Sequence, residues 1–178
     1  MIPTTKKGSV WVSAVLYLAL GLVLIGLVIG LALPIVNRIS DRNVLAQTKS
    51  VMIEMDRGIR EVVDEGPGSR RYFSSVSIKK GQISVDEIND VITWTYDTNS
   101  KVIEPDTPLS EGSLNVLLKQ KPVKGEYTMT ITMDFKDIAD LQIASNSLRP
   151  PLQGTFAMTV ENIGYVSAAT PSVKVLVQ

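Results

Sequence analysis

The sequence predicts an α+β protein: a long N-terminal α-helix, apolar and then amphipathic, followed by a C-terminal antiparallel β-sandwich head. Three observations lead there. Gly8 to Asn37 reads GSVWVSAVLYLALGLVLIGLVIGLALPIVN, with no charge between Lys7 and Arg38. From Arg38 to Glu65 the apolar residues fall at helical spacing along one face. From Arg70 onward the period drops to two, in short runs separated by turn residues. The 178 residues leave room for one globular domain beside the apolar helix. The expected segments are a basic leader over 1–8, an apolar helix over 9–37, its amphipathic continuation over 38–66 and the head over 67–178.

The apolar run makes a helix of roughly 45 Å at ~1.5 Å per residue, against a hydrocarbon slab of ~30 Å. A helix apolar on every face has no place on the surface of a soluble domain. With more than a dozen Leu, Ile and Val at about −0.3 to −0.6 kcal/mol each, insertion into lipid is favourable by several kcal/mol. Trp11 and Tyr17 lie toward its N-terminal end, where aromatic side chains suit a membrane interface. Gly26 and Gly30 form a small-xxx-small pair that lets another helix approach, and Gly21 is placed near the same side. Pro34 is expected to kink or locally melt the far end.

The first seven residues, MIPTTKK, are compatible with three kinds of N-terminus. A cleaved secretory signal has an apolar core of ~7–15 residues, shorter than this one, and Gly30-Leu31-Ala32 is the one late small-x-small site. A signal anchor needs only the basic flank and the apolar run. The third possibility is a leader ending at Lys6-Lys7-Gly8 that is cut before Ser9, leaving the helix on the mature chain.

Past Asn37, Leu45, Met52, Met55, Ile59 and Val62 mark one helical face. Asp56–Arg60, Arg57–Glu61 and Arg60–Asp64 are i,i+4 pairs expected on the exposed side. Gly66-Pro67-Gly68 stops the helix. In the head, Val76, Ile78, Ile83 and Val85 flank Lys79-Lys80-Gly81-Gln82, which is expected to be a hairpin turn. Ile92, Trp94 and Tyr96 form a strand that turns at 97–100. Tyr127, Met129, Ile131, Met133 and Phe135 alternate with Thr128, Thr130, Thr132 and Asp134, giving one buried and one wet face. Leu114–Lys119, Thr155–Glu161 and Val173–Val177 supply further strands, with turns at 121–125, 148–154 and 162–164.

Composition narrows the chemistry. Formal charge is zero, with 18 basic and 18 acidic residues, so no basic field attracts nucleic acid. No cysteine and no histidine occur, which removes disulfides, thiolate metal sites and the commonest general base. No N-x-Ser/Thr sequon is present. Ser77-Ile78-Lys79-Lys80 fits S-x-x-K, but on a strand and with no K-T-G or S-D-N after it, so it is read as chance. Asp134, Asp137 and Asp140, or Asp86, Glu87 and Asp90, could supply oxygen ligands, yet neither has EF-hand spacing, and both are read as solvated surface. Gly66-Pro67-Gly68-Ser69 lacks the lysine of a phosphate loop. No catalytic residue, metal site or cofactor is assigned, and no enzyme is expected.

A short leader ending Lys-Lys-Gly, an apolar helix starting at once, an amphipathic continuation and a β-rich C-terminal half together resemble an archaeal type IV pilin or archaellin-like protein. The resemblance implies that a membrane prepilin peptidase cuts between Gly8 and Ser9, within the motif Lys6, Lys7, Gly8, Ser9. It further implies a β-sandwich head, residence in the membrane before assembly, and then a cell-surface filament built by the pilus assembly machinery from copies of this chain. Helix packing would involve Gly21, Gly26, Gly30 and Pro34. One departure stands out: many type IV pilins carry Glu a few residues into the mature helix, whereas the fifth residue after the implied cut is Ser13. The alternative is a single-pass membrane-anchored accessory or adhesin whose β-sandwich head binds a ligand at the cell surface. Charge does not choose an orientation, because Lys6 and Lys7 stand against Arg38 and Arg42.

Overall fold

A computed structural model of the chain describes residues 7–165 and 170–178, with side chains from 11 onward. It contains one helix, α1 (Lys7–Glu65, 59 residues), followed by eight strands. These are β1 (Arg70–Asp86), β2 (Val91–Thr98), β3 (Leu109–Glu111), β4 (Leu114–Gln120), β5 (Tyr127–Asp134), β6 (Asp140–Ile143), β7 (Leu152–Gly164) and β8 (Ser172–Val177). The α+β class, with the long helix first and the sheet after it, is as the periodicity predicts. The chain divides into two compact units, 1–39 and 40–178, so the amphipathic half of α1 belongs with the strands.

In the first unit the helix runs through Pro34 without interruption. Proline lacks an N–H and leaves the Gly30 carbonyl without its usual partner, a loss that helices in apolar surroundings tolerate. The expected melting at Pro34 does not occur. The helix also corrects the glycine stripe. At ~100° per residue Gly26 and Gly30 stand about 40° apart, whereas Gly21 is about 140° from Gly26 and faces elsewhere.

In the second unit the helical face named by the sequence is the core. Leu45, Met52, Met55, Ile59 and Val62 are buried in one cluster with the inward residues of the strands. The strands form one hydrogen-bonded sheet in the order β3-β4-β5-β2-β1-β7-β8-β6. Register aligns the buried residues in rungs: Val116, Ile131 and Trp94 across β4, β5 and β2, and Leu114, Met133 and Ile92 beside them. Seven of the strands contribute buried side chains to that cluster. At ~4.8 Å between strands they would span roughly 29 Å if flat, and a helix only ~10–12 Å wide cannot cover that. The sheet therefore curls around the core that it shares with the amphipathic half of α1.

A bond network at the end of the order shows the closure directly. The Asp90 carboxylate accepts from Leu141 N–H (2.8 Å) and Glu87 from Ile143 N–H (2.6 Å), so the β1–β2 turn covers the free edge of β6. An uncovered edge would offer those amides to another chain. The opposite edge strand, β3, has only three residues, and Lys49 of α1 reaches Glu111 on it at 2.6 Å.

Four local expectations are corrected. Residues 79–82 are not a hairpin turn: β1 continues through them for 17 residues, pairing with β7 on one side and β2 on the other. Gly81 instead forms an irregularity at φ +78. The cause is Trp94, whose indole N–H donates to the Lys80 carbonyl at 2.9 Å and draws the backbone in. The sheet is also not wholly antiparallel, since β6 pairs with β8 in parallel. The Asp56–Arg60 pair forms (3.0 Å), but Asp56 is buried rather than exposed, and Arg60 also lies over the Phe135 ring. Glu61 pairs with Arg71 of β1 and not along the helix.

Candidate functional site

Each unit offers one feature. In the first, every large apolar side chain from Trp11 to Ile39 is more than half exposed. More than a dozen Leu, Ile and Val left in water would cost on the order of 20 kcal/mol relative to burial. This segment is long and apolar enough to cross a membrane and is a candidate membrane anchor. A Cβ built on Gly21, Gly26 or Gly30 meets nothing within 4 Å, so the room these glycines leave is unfilled by the chain itself. Of the leader motif, Lys6 lies outside the described residues, while Lys7, Gly8 and Ser9 form the first turn of α1.

The second feature is a polar clamp holding the amphipathic half of α1 to the sheet. Asp41, buried on α1, accepts hydrogen bonds from Thr98 Oγ1 (2.6 Å), Tyr96 OH (2.9 Å) and Lys80 Nζ (3.3 Å). Lys80 also donates to the Tyr96 hydroxyl (3.2 Å) and lies over its ring at 5.5 Å. Tyr96 in turn stacks on Trp94 with centroids 5.8 Å apart. The irregularity at Gly81 thus serves the clamp, since it places Lys80 where α1 enters the head. At the other end of the packed helix, Asn162 Nδ2 and Ser69 Oγ both donate to the Val62 carbonyl (3.1 and 2.6 Å), satisfying a helix-end acceptor. Sequence reading missed the clamp. Asp41 falls in a polar run beside Arg38 and Arg42, and nothing local distinguishes it from a solvated residue.

The clamp shifts its own ionisation. Burial pushes the Asp41 carboxyl up, but donors from Thr98, Ser100, Tyr96 and Lys80 outweigh it and bring the pKa below the ordinary 3.8. The Tyr96 hydrogen bond raises Lys80 above its ordinary 10.5, against partial burial and helped by Asp41. Burial, foremost, raises Tyr96 above 10.0. Because Asp41 is more acidic folded than unfolded, its stabilisation is complete above the unfolded value of 3.8 and lost as pH falls through the lowered one. Asp97, lowered chiefly by its hydrogen bond with Lys121, adds to the same limb. Acid unfolding of full-length protein in detergent should therefore steepen below that value. In an Asp41→Asn variant, followed by circular dichroism, that limb should be shallower.

The remaining sequence candidates resolve into structure. Ser77 hydrogen-bonds Thr155 Oγ1 (3.1 Å) while Lys80 is held by Asp41 and Tyr96, so the S-x-x-K pair is not brought together. Five of the six carboxylates in the two acidic groups bond to neighbouring chain. Asp86 accepts from the amides of Ile88 and Asn89, Asp134 from Lys136 N–H, and Asp140 from Ser172 Oγ and Gln142 Nε2. Among the described residues no group of three or more such side chains is arranged to hold a metal ion. A shallow groove of about 390 Å³ lies over Gly81 on the sheet, and its one carboxylate, Asp97, is tied to Lys121 (2.6 Å) and Thr128 (2.8 Å).

Comparison of the chain with protein-family models, curated proteins and solved structures finds no match to any of them.

Proposed function

We propose that the chain is a structural subunit, a pilin, of an archaeal type IV pilus-like surface filament, polymerising through its N-terminal apolar helix. The observation that carries this reading is the contrast between the two parts of α1. Residues 11–39 leave their apolar surface uncovered, whereas the amphipathic half from Ser40 is buried against its own head and pinned there by Asp41. A filament needs each helix to carry its head in a defined register.

The lower helix would first occupy the membrane and then exchange lipid for sister helices. Lipid tails and leucine are equally apolar, so close packing at Gly26 and Gly30 supplies the preference. A screw-related contact that does not close gives an open filament, with the heads displayed outside the cell. The partners of this reading are other copies of the chain, a prepilin peptidase and the assembly machinery. Its role is structural rather than catalytic. Ser13, where many type IV pilins carry Glu, removes a confirming mark without excluding the family; the second reading is a single-pass anchored accessory or adhesin.

The mature N-terminus separates the two. Mass spectrometry of protein from its native membrane is expected to find Ser9 first, and Gly8→Asp to leave the leader attached and abolish filaments. An intact Met1–Gly8 leader on protein that stays in the membrane would establish the anchor instead.

A further inference from the structure

Strand alternation gives β4, β5, β2 and the second half of β1 an outer face that is polar and almost without charge. With Val116, Ile131, Trp94 and Ile83 turned to the core, register sets Asn115, Thr132, Thr93 and Ser84 in one outward rung. Leu117, Thr130, Thr95 and Gln82 form the next. None of these eight residues is charged, in a chain where 20% of residues are. Charge lies in the flanking rungs, Asp134 and Asp86 beside Val91 on one side, Lys119 and Asp97 beside Thr128 on the other, and in the exposed Lys79. The signs are mixed and Asp97 is already paired with Lys121 at 2.6 Å, so no single-sign field draws an ion to this face.

The hydroxyls of the face are unused. Thr128 donates to Asp97 at 2.8 Å, but among the described residues the side chains of Thr93, Thr95, Thr130 and Thr132 make no hydrogen bond. They are half-buried and β-branched, so few rotamers are open to them and little freedom is lost on contact. The groove of about 390 Å³ beside Gly81 adjoins the second rung, and the side chains at it include Gln82, Thr95, Asp97, Thr128 and Gln153. It lies where β1 and β7 lose register, between Ile78 and Ile83. Gln153 Nε2 donates to Gln82 Oε1 at 3.3 Å, which sets the two amides side by side and leaves donors on both and the Gln153 carbonyl oxygen free. Asp97 is held by Thr128 and Lys121 with lone pairs to spare.

We propose that this groove binds a neutral saccharide. Sugar hydroxyls donate and accept at once, and fixed amides, hydroxyls and a charge-compensated carboxylate answer them in both directions. A peptide or a lipid needs apolar pockets, whereas Leu117 is the one apolar side chain among the eight. The volume falls near the lower end of the ~300–1,000 Å³ usual for ligand sites, which suits a short saccharide. The site lies wholly on the head, so it goes beyond the filament role and is the same whether the chain polymerises or stays anchored.

The test uses full-length, unassembled protein in a zwitterionic detergent that has no sugar head. It is applied to an array of neutral and uronate-bearing glycans, and retention of neutral ones is expected. For a glycan so retained, Thr95→Val and Gln153→Ala should each weaken binding about tenfold. Both positions are on the wet face, so the unfolding temperature should stay at the wild-type value. Thr159→Val, which removes a hydroxyl from the outer face of β7 away from the groove, should leave binding unchanged, as should added salt. Retention of no glycan, retention of uronate-bearing glycans alone, or equal weakening by Thr159→Val overturns the site. Because the chains are unassembled, that failure leaves the filament reading standing, and the mature N-terminus tests that reading separately.

Discussion

Gly81→Val is expected to destabilise the head by about 3–5 kcal/mol, the largest loss from any single glycine in the fold. Gly81 sits at φ +78, where a β-branched residue is strained whatever the space around it. Space is also lacking: a Cβ there would come within 2.4 Å of the Thr95 carbonyl oxygen and 2.7 Å of the Trp94 indole nitrogen. The first is backbone of a central strand and cannot move aside. Relief would break the Trp94–Lys80 hydrogen bond and withdraw Lys80 from Asp41, so the loss spreads to the clamp. Gly112→Val is the control. Its φ is +61 with nothing within 4 Å of a Cβ, so only the backbone strain of about 1–2 kcal/mol should appear. Thermal unfolding of the two full-length variants in detergent should separate them clearly; equal losses would mean that the crowding at Gly81 is relieved without cost.

Asp41→Ala is expected to cost about 2–4 kcal/mol, or a fall in Tm of about 5–12 °C. The variant leaves the buried Thr98 hydroxyl and the Tyr96 hydroxyl without their acceptor and Lys80 without its counter-charge. The Lys80 side chain is 40% exposed and can turn toward water, which keeps the effect below that of breaking a fully buried pair. Asp41→Asn retains an acceptor oxygen and should lose roughly half as much. Hydrogen exchange offers a sharper readout. In Asp41→Ala, amides near Asp41 should exchange faster, while those near Val62, anchored by Asn162 and Ser69, should be unchanged. Uniform loss of protection would make the clamp one part of an all-or-none core rather than a separate joint.

The clamp fastens the amphipathic half of α1 to the strands, and Gly81 and Asp41 are two parts of it. Neither is a plausible functional residue by motif. Asp41 is one of several charges after the apolar run, and Gly81 sits in a Lys-Lys-Gly-Gln sequence that fits a hairpin turn better than a strand. Gly81 is placed by Trp94, 13 positions further on, whose indole N–H donates to the Lys80 carbonyl, and Asp41 is placed by Thr98, Tyr96 and Lys80. The acidic groups follow the same logic. As a string of letters, Asp86, Glu87 and Asp90 suggest solvated surface or a cation, whereas in the fold Glu87 and Asp90 stand in for the missing neighbour of edge strand β6.

The uncharged helix from Gly8 to Asn37, the buried face of Leu45, Met52, Met55, Ile59 and Val62, and strands such as Tyr127–Asp134 are legible in the order of residues alone. Each is written as a repeat of apolar residues within a few positions, and burial of apolar surface follows that local period directly. Folding in three dimensions was needed to show that β1 runs straight through Gly81, that β6 lies parallel to β8, and that Asp41 meets Thr98 across 57 residues. Those outcomes depend on strand partners and on desolvated polar groups. A polar residue gains its meaning when folding takes away its water and leaves one neighbour to replace it.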